Sequence, residues 1–306
     1  MENAFSKYME EKLGIPGRDL YSIPTSKKKF PDGADYRLEI APVQTPEGVR
    51  AAIEAAKEYG CTLHRITETR GIMRLTDSQI KEMLKMAKEA RIELALSVGP
   101  RAHYDTSAQR ATGTYEGGRL GYRLRGSDQL LYAIRDIRRV TDLGCRLIVV
   151  YDEGLLWILS NMRKDGLLPK DLKLKVSVHC GHGNPASVKV LADLGADSIN
   201  PIADLQLPMI AAIRASVNIS IDLFISMPKA DGGFVRIPEA PEMVRVASPV
   251  YLKCGPSEIT THGIPTTPEE CKAFVKEALL VQRTVEMYYP EAKLSELGVE
   301  DLAIPV

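Results

Sequence analysis

Five side chains of this sequence could carry proton-transfer or carbonyl chemistry if the fold brings them together: Glu39, Lys175, His179, Asp222 and Lys253. A lysine held among apolar walls beside a second cation loses proton affinity, which suits it to condense with a carbonyl or to act as a base. Lys175 and Lys253 are the candidates for that role, and a plain ion pair with Glu39 or Asp222 is the competing use of each. Carboxylates and imidazoles move protons when their surroundings set their pKa values apart, so Glu39, His179 and Asp222 are the candidate acids and bases. Arg65 and Arg101 have the charge to hold a substrate carboxylate, and Thr67, Ser97, Glu153, His182, Asn184 and Asn200 complete the candidate binding set.

The stretch VHCGHGNPAS (178–187) admits three readings. His179 and His182 are a weak pair of metal ligands that would need a carboxylate such as Glu39, Glu153 or Asp222 to fill the shell of a divalent ion. Gly181 and Gly183 before Asn184-Pro185 could instead aim free N–H groups of a helix start at an anion. The third reading is a turn and nothing more. Cys180 lies beside the histidines, yet alternation along a strand points it with Val178 toward the surrounding helices. Further on, SMPKADGGFVR (226–236) and Lys253-Cys254-Gly255 stand where barrel loops often grip phosphate or carboxylate groups. Walker, dinucleotide, nucleophile-elbow and H-E-x-x-H motifs are all missing.

Positioning such residues requires a scaffold, and from Tyr36 onward β-branched runs alternate with helical patterns, the mark of parallel strands joined by crossover helices. The runs are 36–42, 62–67, 92–98, 145–152, 173–180, 196–201, 219–226 and 249–254. Thr45-Pro46-Glu47, Thr76-x-x-Gln79 and Thr267-Pro268-Glu269-Glu270 read as helix starts, and Gly60, Gly144 and Gly195 as stops. Eight such units in 306 residues predict a (βα)₈ TIM barrel over 36–306, with an N-terminal arm over 1–35 and a long C-terminal helix. An open doubly wound sheet is the competing architecture. The arm caps the barrel bottom or reaches a neighbouring subunit, and its Lys27-Lys28-Lys29 run reads as a solvated face. The connection PRAHYDTSAQRATGTYEGGRLGYRLRG (100–126) is long enough to be either a lid carrying Arg101, Tyr104 or Arg110 or a loose insertion.

Strand alternation then sorts the side chains. Leu38, Ile40, Leu94, Leu96, Val98, Leu174, Val176, Val178, Ile221, Leu223 and Ile225 belong under the helices, as do Val250 and Leu252. That leaves for the interior Arg37, Glu39, Leu63, Arg65, Thr67, Ser97, Lys175, Ser177 and His179, together with Asn200, Ser220, Asp222, Ser226, Tyr251 and Lys253. Barrel interiors are ordinarily filled with branched aliphatics. Buried ions cost several kcal/mol each unless paired, so a charged interior points to a site, with a salt-bridge lattice as the alternative.

Formal net charge is zero, which speaks against a nucleic-acid partner. The opening residues lack a signal-peptide pattern and no run reaches the roughly 18 apolar residues of a membrane span. Five scattered cysteines without a C-x-x-C pair fit reduced thiols, so a cytoplasmic location is expected. A homo-oligomer is compatible with the arm.

The phrases LEIAPVQT (38–45), HRIT (64–67), GPRAHYDTSAQ (99–109), DEGLLW (152–157), GHGNPAS (181–187), GGFVR (232–236) and PEMVRVASPVYLK (241–253) together resemble a bacterial barrel family commonly labelled peptidase U32. The resemblance spans 36–256 and implies a barrel with its site at Glu39, Arg65, Arg101, Glu153, His182, Asn184, Asp222 and Lys253. The better-known members carry a cysteine cluster for an iron–sulfur centre, which this chain lacks, so neither that cofactor nor their activities carry over. The expectation is an enzyme acting on a small anionic carbonyl or hydroxy-acid substrate, as an aldolase-like lyase or an isomerase. A hydrolase or peptidase, with or without a metal, and a non-catalytic metabolite-binding barrel are the alternatives.

Overall fold

The computed structural model describes residues 2–100, 121–227, 233–255 and 265–306. Arg101, Tyr104, Arg110 and Lys229 lie outside the described residues. Strands β1 (Tyr36–Ile40), β2 (Arg65–Thr67), β3 (Glu93–Ser97), β4 (Leu147–Val150), β5 (Lys173–Val176), β6 (Ser198–Ile199), β7 (Ser220–Ser226) and β8 (Val250–Cys254) pair in sequence order. β8 returns to pair in parallel with β1, closing the barrel. The open-sheet alternative is thereby removed.

Helix α1 (Glu2–Leu13) belongs to the arm; α2 (Pro46–Tyr59), α3 (Asp77–Ala90), α4 (Gly126–Asp142), α5 (Glu153–Lys164), α6 (Pro185–Asp193), α7 (Leu207–Ser216), α8 (Ala240–Ala247) and α9 (Pro268–Tyr288) surround the barrel. The starts follow from their caps. Thr45 accepts from the Gly48 N–H, and Thr76 and Thr267 form capping boxes with Gln79 and Glu270. The apolar faces of the strands merge with those of the helices into one continuous core. Among the described residues no helix is long and apolar enough to cross a membrane.

Several strands are shorter than their sequence runs. β5 stops at Val176, and Val178–Cys180 form a 3₁₀ turn. The Ser177 hydroxyl accepts the His179 N–H there, offering the backbone an alternative to the ladder. The ladder thus ends before His179, and alternation ends with it: Val178 and His179 both line the cavity at the barrel mouth. Leu63 precedes β2 and lies with Ile53, Ala56 and Ile92 at a groove between helices. In β7 the register slips between Phe224 and Ser226. The bulge sends Ser226 to Glu277 of α9 instead of into the interior, and Phe224 takes the inward place.

Both chain ends close the bottom of the barrel, where the strands begin. Phe30 of the arm meets the Tyr251 ring edge-on at 5.5 Å, and the Arg37 guanidinium lies 4.0 Å over Phe30. Two lysines of the run are engaged while Lys27 is exposed: Lys28 donates to the carbonyls of Arg214 and Val217 near the end of α7, and Lys29 pairs with Asp35. From the other end, Leu294 bridges Tyr36, the Ala303 N–H donates to Glu93, and the Val306 N–H donates to the Gly144 carbonyl.

Gly144 is confined twice. Its φ is +106°, and a Cβ would stand 2.5 Å from the Val306 carbonyl oxygen. Gly144→Ala should cost about 1–3 kcal/mol by overpacking and strain. Urea unfolding reads this loss, and deleting the last residues should remove only the part due to the clash with Val306, leaving the strain of alanine at positive φ.

Candidate active site

The predicted interior charges meet in the middle of the barrel. Lys175 of β5 pairs with Glu39 of β1 and, at 2.7 Å, with Asp222 of β7. Arg65 of β2 reaches Glu39 at 3.2 Å and Asp222 at 3.3 Å, and Lys253 of β8 approaches the other Glu39 oxygen at 3.3 Å. The register explains the convergence, since Glu39 stands opposite both Arg65 and Lys253 in the ladders that flank β1. Glu39, Lys175 and Asp222 are fully buried. Ions in such a place persist only when paired and hydrogen-bonded, and here each has at least two partners. Thr67 donates to Glu39 at 2.8 Å and Ser198 donates to Asp222 at 3.3 Å.

Above this layer lies a small cavity of about 30 Å³, lined by Lys175, Lys253, Thr67, Tyr151, His179 and Phe224 among others. It is at the ends of the strands, where barrel active sites form. Of its two lysines, Lys253 is the less enclosed. Its ammonium donates to the Asn200 side chain at 3.2 Å and sits 4.5 Å over the Phe224 ring. Asn200 is fixed in turn by donating to the Asp222 carbonyl at 2.7 Å. Burial disfavours the charged form of Lys253, the Lys175 cation adds to that, and the Glu39 and Asp222 carboxylates oppose it; the balance lowers its pKa to about 8. Burial alone would raise Glu39, but Lys175, Lys253 and Arg65 outweigh it and hold the carboxyl well below the usual range.

The opposite wall carries hydroxyls. Ser97 donates to the Glu68 carbonyl, so the Tyr151 hydroxyl, 2.8 Å away, is the donor to Ser97. His179 lies flat against Tyr122, with ring centroids 4.1 Å apart and planes 4° apart. Tyr122 stacks on Tyr151 in the same column.

Other predicted residues are placed differently. Arg65 lines a cavity below the ionic layer, not the one above it. Its Nε bonds Glu93 at 2.6 Å and its guanidinium covers the Tyr251 ring at 3.5 Å. A guanidinium so saturated does not hold a substrate carboxylate at the mouth. Asn184 caps α6 by accepting the Ser187 N–H at 2.9 Å. His182 bonds Glu153 at 2.6 Å, and Glu153 also takes Arg123. Burial pushes Glu153 up, yet these two hydrogen bonds prevail and bring it down to about 2. His179 is thus stacked on an aromatic column while His182 is engaged on the rim. Among the described residues no group of three or more His, Cys, Asp or Glu side chains could hold a metal ion. The Cys180 thiol, buried and held against the Val150 carbonyl, is pushed well above the ordinary thiol range by burial, which removes its nucleophilic form.

Tyr151, Phe224, Tyr122 and Arg123 escaped the sequence reading. Tyr151 was accessible from strand parity, being two residues beyond Val149, which also lines the cavity. Phe224 was hidden by its own apolar character, and Tyr122 and Arg123 by a long loop without periodicity.

The fold and site define a closed (βα)₈ barrel with an ionic interior. No family model matches this chain, and no curated protein matches it. Among solved structures it is similar to the homocysteine methyltransferase MmuM from Escherichia coli, oxidized form, at 13% identity and TM-score 0.52, covering 80% of this chain and 97% of that one. The U32 peptidase Mk0906 matches at 14% identity and TM-score 0.45 over 80% and 99% of the two chains. The YdjI aldolase from Escherichia coli K12 matches at 13% identity and TM-score 0.47 over 83% and 90%. At these identities the likeness is one of fold alone.

Proposed function

We propose that the protein is an enzyme of lyase type, acting on a small anionic carbonyl compound through an imine on Lys253. The observation that carries this reading is a buried amine with a pKa of about 8, facing a cavity at the ends of the strands beside a second lysine. Lys175, locked between two carboxylates, is spent on the ionic layer and keeps Glu39 and Asp222 in place; Lys253, held by one amide oxygen and the edge of Glu39, is the nucleophile.

The neutral amine attacks the carbonyl carbon, and the carbinolamine hydroxyl takes up a proton from a general acid on the cavity wall and leaves as water, giving a protonated imine. That cation draws the electron pair of the neighbouring C–C bond as the substrate's hydroxyl gives up its proton, releasing an aldehyde and leaving an enamine. Protonation of the enamine carbon and hydrolysis return the amine. Removal of an α-proton from the same imine by a base, and its return to the enamine without C–C cleavage, gives the isomerase outcome instead. Glu39 stays ionised and acts as the counter-ion of the imine, with Asp222 supporting it through Lys175. The Tyr151 hydroxyl and His179, on the cavity wall, are the groups placed to carry protons.

Borohydride reduction in the presence of pyruvate, glyoxylate and longer 2-oxo acids tests the reading. Intact-mass and peptide mapping should show one adduct, on Lys253, and Lys253→Met should show none. A protein unmodified across the panel, or modified only on surface lysines, removes the imine mechanism and leaves a barrel that binds without turnover.

A further inference from the structure

An amine that adds to a carbonyl pushes charge onto the carbonyl oxygen, and a donor placed to meet that oxygen speeds the addition. We propose that Ser177 is this donor, its hydroxyl holding first the substrate carbonyl oxygen and then the carbinolamine hydroxyl made from it. The inference rests on the imine reading of the same cavity and adds the residue that orients the carbonyl group.

Ser177 follows β5 with its backbone still extended, at φ −73° and ψ 150°, and its N–H continues the ladder to the Val150 carbonyl at 3.0 Å. Alternation therefore holds from Lys175 to Ser177. The serine side chain stands on the inward face one pleat above the ionic layer, where it is buried and lines the cavity together with Lys253. Its hydrogen is unspent. The oxygen accepts the His179 N–H at 3.2 Å, and among the described residues the hydroxyl hydrogen meets no acceptor. Two other hydroxyls of the wall are committed, Thr67 to Glu39 and Tyr151 to Ser97. A hydroxyl carries one donor beside its lone pairs, and a buried donor left without an acceptor is costly, so a guest oxygen is favoured at this point of the wall.

The placement suits the reaction. β5 and β8 stand three strands apart in the closed order, so Ser177 and Lys253 look into the cavity from different sides. The space between them is about 30 Å³, roughly the share of one water molecule in the liquid, so a single carbonyl group placed there is within reach of both walls. Attack from the β8 side turns the oxygen away from the nitrogen and toward β5. As the C–N bond forms, the carbonyl electron pair moves onto that oxygen and the serine O–H···O bond strengthens. The proton that departs with the water comes from the general acid, since a serine hydroxyl is far too weak an acid to supply it at neutral pH.

Borohydride trapping of pyruvate on Lys253 is the test. At saturating pyruvate Ser177→Ala should be trapped about three- to tenfold more slowly than the parent, the worth of one hydrogen bond. The pH at half-plateau should not move, because Lys253 keeps its surroundings, and Ser177→Thr, which retains the hydroxyl, should recover most of the rate. A serine that only starts the 3₁₀ turn would give a different pattern: the turn is also held by the Cys180 N–H on the Ser177 carbonyl at 3.1 Å and the Gly181 N–H on the Val178 carbonyl at 2.9 Å, so the alanine variant would melt lower and be trapped at the parent rate. That pattern, or an equal loss in the alanine and threonine variants, overturns the proposal. If the parent is not trapped at all, the imine reading falls, and the serine is judged by non-covalent binding. Ligand-observed NMR should then show pyruvate held severalfold more weakly by Lys253→Met/Ser177→Ala than by Lys253→Met, and equal binding, or none to either, sinks the role of Ser177 as well.

Discussion

The rate of imine formation on Lys253 should rise about tenfold per pH unit between pH 5.5 and 7.5 and level off above about pH 8.5. Only the neutral amine attacks a carbonyl, and with a pKa of about 8 the neutral fraction grows tenfold per unit until the group is titrated. An ordinary lysine, near 10.4, would still be climbing at pH 9.5. The cause can be tested separately from the consequence. Burial is the main force lowering the pKa, so Phe224→Ala, which removes the ring beneath the ammonium and admits water, should move the midpoint upward. Stability carries the same signature with a fixed sign. Between pH 8 and about 10.4 the unfolded lysine holds a proton that the folded one has lost, so resistance to urea should increase with pH across that window. Lys253→Met should abolish both the pH-dependent trapping and this rise. Trapping that climbs steadily to pH 10 would mean that the amine is not desolvated in the folded protein.

The sequence was legible where a single physical rule decides the outcome. Eight alternating units and the hydroxyl caps at Thr45, Thr76 and Thr267 fix the barrel's element order, because each crossover helix needs a start that satisfies its free N–H groups. Strand parity found Glu39, Lys175, Asp222 and Lys253, since the helix-facing side of a parallel strand must be apolar and whatever remains points inward. Parity says nothing of height, however. Arg65 shares the inward face of β2 but spends its charge on Glu93 below, and only the stagger between strands reveals which cavity it faces. Parity also fails where a strand stops early or bulges, as at His179 and Ser226, because a hydroxyl or an extra residue there competes with the ladder. The residues nearest the mouth were hardest. Tyr122 and Arg123 belong to a segment whose place is set by stacking on Tyr151 and His179 and by the Glu153 ion pair, all long-range contacts without a local pattern.

Replacing Lys175 by methionine should cost the folded protein about 3–5 kcal/mol, the usual penalty for removing one partner of a buried ion pair. The side chain is isosteric enough to leave little cavity, so the loss is electrostatic. Lys175 is the cation common to Glu39 and Asp222, both without exposure, and its removal leaves two carboxylates with only Arg65 and Lys253 between them while Arg65 also serves Glu93. Asp222→Asn in the same background should restore a large part of the stability by deleting the surplus negative charge, giving a coupling energy of a few kcal/mol in the double-mutant cycle. pH distinguishes this from lost packing. In the parent, the depressed Glu39 contributes stability that is complete above its unfolded value and fades as the pH falls through the folded one. In Lys175→Met the carboxyl, left with Arg65 and Lys253, gains less from ionising, so the gap between parent and variant should narrow as the pH is lowered below about 4.3. A gap that stays constant with pH, or a double variant as unstable as the single one, would show that the layer is held by packing and that the balance of charge at the heart of the barrel is incidental to the fold.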